Sequence, residues 1–456
     1  MRTPFIKCLK ISSFFLILLS RSVEAQNVLD EYIATGLKNN LVLEQKNISL
    51  EKALLSLKIA GGRFLPTVAL QGNYTTGDGG RSISFPVGDL LNPVYSTLNQ
   101  LTQTNQFPQI ENVNQNFFPK DFYDAKVRTS MPIFNTDLVY NKKIQQQQIL
   151  LKEFEVDIYK RELVRDIKTA YFNYLSSQEG IGIYQSALTR ALEGKRVNES
   201  LLANGKGLPA YVLRSQSEIE SIKASLMDAE RQAENARLYL NFLLNREGNA
   251  EINKGFNPDR LQAQVPDGLM QEGDKKKREE LKQVQTLKSL NDDALRMSQL
   301  FWSPRLSGFL DLGAQGENMK FTSQSNYYLL GFQIDVPLFA GFTNRHKIEQ
   351  SKLDIKNTEV SYAIANQRLD MATEMARNKL ITSYQNYLSA QKQLEAAQSY
   401  QKLIEKGYKE GVNTFIESID ARNQLTSAQF LVKINQYNVL IAEASLERET
   451  AGYELK

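Results

Sequence analysis

The 456-residue chain has one cysteine and one histidine, and after its first 25 residues it has no long apolar run. Each shortage excludes something. Cys8 lies within a segment laid out as a secretory signal peptide. Arg2, Lys7 and Lys10 form its basic start, residues 11–19 its apolar core, and Val23 and Ala25 its small residues before Gln26. The apolar core is too short to span a bilayer. A lipoprotein signal would place its cysteine just after that core, whereas Cys8 comes before it and leaves with residues 1–25. The mature chain then has no thiol, which excludes disulfides and thiolate metal sites. His346 sits between Arg345 and Lys347, and with Glu349 it makes only a two-ligand fragment, so it reads as a surface histidine. Gly205-x-Gly207 follows no strand and lacks the Lys-Ser/Thr of a phosphate loop. No Ser–His–Asp order or metal cluster is present, so the expectation is no enzyme, no cofactor and no metal. Charge of one sign is short as well. Without Arg2, Lys7, Lys10, Arg21 and Glu24, the balance is 51 basic against 50 acidic residues. That gives nucleic acid no reason to bind. With no later run near 18 apolar residues, any entry into a membrane has to be made by strands closed into a barrel.

What the chain does have is an internal repeat. YFNYLSSQ at 171–178 returns as YQNYLSAQ at 384–391, SMPIF at 130–134 as DVPLF at 335–339, and Gly205 as Gly411, at offsets of 213, 205 and 206. Each half reads as helix, strand, loop, strand, long helix, turn, helix. The first repeat covers 26–245, a linker 246–276, and the second repeat 277–456. Leu163, Ile167, Ala170, Tyr174, Ser177, Ile181, Tyr184 and Leu188 recur at alternating steps of four and three, as do Ala376, Leu380, Ser383, Tyr387, Ala390 and Leu394. This is the spacing of a coiled-coil seam, with Ala and Ser allowing close approach. Residues 138–202 and 343–409 contain no proline and could each run about 100 Å as helices. The shorter helices expected over 28–60 and 210–245, or 277–301 and 415–452, add to about that same length in pairs. Two short helices stacked against one long one make a helical cylinder of uniform length; an ordinary soluble bundle is the plainer alternative.

Four segments alternate with period two, at about 64–74, 124–134, 305–314 and 327–338. In the first, Val68, Leu70 and Tyr74 oppose Thr67, Gln71 and Asn73. In the second, Val127, Met131 and Ile133 oppose Lys126, Arg128 and Ser130. Leu306, Leu310 and Leu312 then oppose Arg305, Ser307 and Asp311, and Tyr328, Leu330, Phe332, Ile334, Val336 and Leu338 oppose Tyr327, Gln333 and Asp335. Such segments suit tilted transmembrane strands with lipid on one side and water on the other; a half-buried sheet in a soluble sandwich would alternate in the same way. Four strands cannot close a barrel and an open edge is forbidden in lipid, so three chains sharing twelve strands are expected. Phe134, Trp302, Phe339 and Phe342 stand where strands give way to helices, as an interfacial aromatic girdle would. The polar stretch 75–123 is expected as an extracellular loop.

These features together resemble the TolC-like outer-membrane efflux protein family over essentially the whole mature chain. The most specific piece is 408–421, YKEGVNTFIESIDA, similar to the family's tip motif of a tyrosine three residues before a glycine, then two acids three apart. The resemblance implies a mixed α and transmembrane β fold: a trimeric 12-stranded β-barrel, four strands per chain, continued by a long periplasmic α-helical coiled-coil cylinder. It also implies a cell outer-membrane location extending into the Gram-negative periplasm. Carried over, Glu417 and Asp420 form acidic rings at the pore constriction, and an acid ring favours cations. Acids at this spacing share a helix face, and in a first helical turn they also suit the helix dipole without any pore. Tyr408 matches a tyrosine that holds the closed state. The family's acidic partner falls at Tyr211 and its basic link at Asn413, so the closing contacts of this chain differ. The tip turn at about 408–414, with Gly411 and Val412, and the turn formed by Gly205, Lys206, Gly207, Leu208 and Pro209 would meet a periplasmic adaptor. The function implied is the exit duct of a tripartite efflux or type I secretion system, passive and opened by an adaptor and an inner-membrane pump. The partners are two further copies of the chain, the adaptor, the pump and outer-membrane lipid. A structural or adhesive coiled-coil envelope protein is the alternative, but it would need neither the matched helix lengths nor strands with one wet face.

Overall fold

The structure, a computed structural model, describes residues 24–118, 120–259 and 277–455. Residues 1–23 of the expected signal peptide and 260–276 of the expected linker lie outside them. The described residues divide into two compact units, one from within 24–54, 147–290 and 354–455, the other from within 55–146 and 291–353.

The elements of the first half are α1 (Glu24–Asn39), α2 (Leu41–Gly62), β1 (Thr67–Thr75), β2 (Ser82–Phe85), α3 (Val87–Thr102), β3 (Val113–Asn116), β4 (Phe122–Phe134), α4 (Thr136–Ala203) and α5 (Pro209–Leu243). The second half holds α6 (Glu279–Gln299), β5 (Arg305–Gly316), β6 (Asn326–Asp335), α7 (Thr343–Lys409) and α8 (Phe415–Thr450). Three expectations need correction. The helix expected over 28–60 is two helices broken at Asn40, whose side chain accepts from the N–H groups of Val42 and Leu43 and so caps the second. The last strand ends at Asp335 rather than 338, because Pro337 has no N–H to give a ladder. The segment 75–123 is not a bare loop. It holds the two-stranded β2–β3 sheet and α3, against which an extended stretch is fastened by side-chain amides. Asn92 exchanges both hydrogen bonds with the backbone of Ile110, and Asn99, seven residues on, does the same with Phe107.

In the helical unit the core gathers where α1, α4, α5 and α8 meet, around Ile33, Leu163, Ile167, Tyr171, Leu240 and Leu440. The expected seam of α4 is buried there at Leu163, Ile167, Ala170 and Tyr174, while that of α7 buries Leu380, Ser383 and Ala390. Leu380 meets Val439, Ala442 and Leu446 of α8 in a second cluster. The tyrosines reach polar partners at the rim of the core: Tyr171 donates to the carbonyl of Asn253, and the N–H of Asn253 donates to Tyr32. That satisfies phenols which would otherwise be costly to bury.

The other unit is built on one antiparallel sheet in the order β1-β4-β5-β6. Residues opposite one another in an antiparallel ladder share a face. The register pairs Leu70 with Val127, Val127 with Leu312 and Leu312 with Tyr328, so these side chains lie on one side. Arg128 pairs with Asp311 and Gln71 with Lys126 on the other. The expected alternation therefore holds across all four strands. The apolar side is bare within the chain: Leu70 is 81% exposed and Phe332 71%.

Candidate functional site

The turn joining α4 to α5 and that joining α7 to α8 are built alike. Each long helix ends on a glycine with positive φ, +72° at Gly205 and +80° at Gly411. Beyond each, the N–H of Lys206 or Val412 reaches back five residues to the carbonyl of Leu201 or Gly407. The glycine's own N–H closes a shorter bond, to Leu202 or to Tyr408. This is the Schellman helix stop, and the left-handed backbone at its centre explains the glycines. Gly207 is required by contact, since a Cβ there would stand 2.7 Å from the backbone nitrogen of Leu202. Leu208, in extended conformation, then leads into α5, which opens on Pro209, where the missing N–H costs nothing. At the second turn Thr414 caps α8. Its hydroxyl accepts from the N–H of Glu417, and the Glu417 carboxylate accepts from the N–H of Thr414 at 2.7 Å. That N–H, joined by the amide of Asn413, holds the Glu417 carboxyl below its ordinary range.

The two turns are joined by one aromatic side chain and one hydrogen-bonded chain. Phe415, 2% exposed, packs at a tilt against Tyr211 at 5.0 Å and Tyr408 at 5.9 Å between centroids. The Tyr408 hydroxyl donates to Asn198 Oδ1 at 2.5 Å, Asn198 Nδ2 donates to Ser215 Oγ at 2.9 Å, and Ser215 Oγ donates to the carbonyl of Tyr211 at 2.9 Å. Asn198 and Ser215 are both fully enclosed. Next to them Arg422 of α8 pairs with Glu218 of α5 at 2.9 Å, with both side chains largely buried.

Tyr408 and Tyr211 thus come together around Phe415, while Asn413 turns its amide onto Glu417. Glu417 and Asp420 both lie on the exposed side of α8, Asp420 accepting from Gln424. Val412 is exposed beside the turn. His346 is exposed, 3.4 Å from Glu349. The residues that sequence reasoning missed are Asn198, Ser215 and Phe415. Asn198 was findable: continuing the seam of α4 past Leu188 by steps of three, four and three lands on it, and an amide at a seam position calls for a partner. Among the described residues no group of side chains could hold a metal ion, and no helix is long and apolar enough to cross a membrane.

The chain belongs to the outer membrane efflux protein family, whose pattern matches residues 33–246 and 277–452. It is similar to the toxin and drug export protein A of Aggregatibacter actinomycetemcomitans, 21% identical over 93% of this chain and 86% of that one. It is also similar to the outer membrane protein TolC of Escherichia coli, 20% identical over 76% of this chain and 73% of that one. Among solved structures, the open-state MtrE outer membrane channel of Neisseria gonorrhoeae superposes with a TM-score of 0.71 at 18% identity, covering 93% of this chain and 88% of that one. The protein is accordingly an outer membrane efflux protein with the TolC-like fold.

Proposed function

We propose that the protein is a passive exit duct that catalyses no reaction. Three copies close one twelve-stranded barrel in the outer membrane, and their helices form a coiled-coil cylinder in the periplasm. A periplasmic adaptor and an inner-membrane pump open it, as parts of a tripartite efflux or type I secretion system. The observation that carries this reading is the sheet. Its edges are β1 and β6, neither of which has a second partner strand among the described residues, and one of its faces is apolar and exposed. In lipid an open edge would strand its N–H and C=O groups, whereas three sheets of four strands close without an edge. The exposed Phe134, Trp302, Phe339 and Phe342 suit an aromatic girdle at the membrane boundary.

The turns at Gly205, Lys206, Gly207, Leu208 and Pro209 and at Gly411 and Val412 are the ends that meet the adaptor. Glu417 and Asp420 line the constriction, while Tyr408, Tyr211 and Asn413 belong to its closing contacts, with Asn198 as the direct partner of Tyr408. Two turns tied together by one buried neutral hydrogen-bonded chain form a clasp that an adaptor could release.

Reconstituted in a planar bilayer, the protein should conduct ions in discrete steps. Glu417→Gln with Asp420→Asn should lower cation preference and weaken block by multivalent cations. A protein that inserts but never conducts overturns the duct. A double variant with unchanged selectivity and block leaves the duct standing and makes both acids ordinary exposed residues near the start of α8.

A further inference from the structure

The four long strands carry six charged residues: Asp124, Lys126 and Arg128 on β4, Arg305 and Asp311 on β5, and Asp335 on β6. All six fall on the polar face, three of each sign. Four of them, Asp124, Lys126, Arg128 and Asp311, pair with one another. Asp311, with its side chain 1% exposed, accepts from Arg128 Nε at 2.7 Å and Nη2 at 2.6 Å and stands 3.8 Å from Lys126 Nζ. Lys126 also pairs with Asp124 at 2.9 Å, and Asp124 accepts from the Tyr327 hydroxyl at 2.6 Å. The Arg128 guanidinium lies over the ring of Phe309, 4.9 Å from its centroid. At the strand ends near α4, Arg305 reaches Asp137 at 2.7 Å and sits opposite Asp335 in the register.

We propose that Asp311 is the residue that keeps the wall of the barrel lumen electrically neutral, so that the strand section admits solutes of either sign and leaves charge discrimination to the helical end. The proposal rests on the duct reading, in which the polar face lines the lumen. A lone fixed charge beside a low-dielectric wall sets up a field that reaches across a pore; a contact pair presents only a dipole, whose field decays faster. Asp311 is placed to matter most because one carboxylate answers two cations, Arg128 through a bidentate pair and Lys126 behind it. Without it the wall gains one positive charge per chain, repeated by symmetry around the lumen.

The test is the reversal potential of single channels under a salt gradient. It uses the Glu417→Gln, Asp420→Asn background, so that acids at the helical end do not set the ratio. Asp311→Asn should move the anion-to-cation permeability ratio several-fold toward anions. Arg128→Gln should move it toward cations, and the two together should return it to the parent value. If Asp311→Asn does not assemble, the Arg128→Gln shift still decides. Thiol labelling of Ser307→Cys, on the same face, separates the two ways to fail. If Ser307→Cys reacts with a water-soluble reagent but neither charge variant moves the ratio, the neutral-wall proposal is overturned and the duct stands. If Ser307→Cys is shielded in assembled protein, the polar face is not the lumen and both readings fall.

Discussion

Tyr408 is held by an uncharged amide where a carboxylate would have been the stronger acceptor. A neutral hydrogen bond contributes about 1 kcal/mol net, against roughly 1.5–3 kcal/mol for one to a charged group. The hydrogen bond of Tyr408 is therefore a light tie between the two turns, and its members do not titrate near neutral pH. Tyr408→Phe keeps the ring packed on Phe415 but strips Asn198 Oδ1 of its donor inside an enclosed site, at a cost of roughly 1–3 kcal/mol. The resting conductance in planar bilayers should rise with assembly unchanged; a resting conductance equal to that of the parent would show that the bond does not hold the turns. Glu443 on α8 behaves in the opposite way. Burial, with Glu447 next to it and Lys168 only partly offsetting, pushes its carboxyl up to about 7. Between that value and the ordinary 4.5, the folded chain holds a proton that the unfolded chain releases. Stability thus increases as pH falls through this window and declines as pH rises through about 7. Glu443→Gln should flatten that slope and raise the Tm most on the alkaline side, which thermal unfolding at about pH 6 and pH 8 would read. Parallel pH profiles for parent and variant would place the proton elsewhere.

The hairpin of β1 and β4 is paired to its last residues, Thr75 opposite Phe122, before the chain leaves the sheet. The segment between them is fastened to itself through the amides of Asn92, Asn99 and Asn112. The sheet therefore does not depend on the insertion for its register. Replacing residues 78–119 by a short glycine-serine turn should leave circular dichroism in the strand region, assembly and conductance intact. Loss of assembled protein would mean that the insertion templates the hairpin. Its composition, rich in Asn, Gln, Gly and Pro, marks it off from the strands on either side. Its internal order does not show in the sequence, because each asparagine is paired with backbone that only the folded chain brings alongside. The long helices are the reverse case. α7 runs over the residues its pattern marks, because a 67-residue stretch free of proline leaves no local alternative.

At the scale of the whole molecule the open sheet is the deciding fact. A chain whose sheet has two edges unpaired among the described residues, and an exposed apolar face, is stable in lipid only when other copies pair both edges. Mass measurement of the detergent-solubilised protein should therefore give three chains, with no folded monomer persisting on dilution. A monomer that keeps its full strand content would overturn the trimer.

By itself, the sequence determined the alternation of the strands, the length of the long helices, and the glycine stops at 205 and 411. These are local properties: a period of two, a run without helix breakers, or a backbone angle only glycine accepts readily is written in neighbouring residues. Only the tertiary structure decided that Tyr408 bonds Asn198, 210 positions away, and that Asp311 serves Arg128 and Lys126 across a strand pair. The physical reason is that a hydrogen bond or ion pair depends on distances of about 3 Å between groups far apart in the chain. The seam and register patterns say that such groups lie on the same face, but not which of them touch.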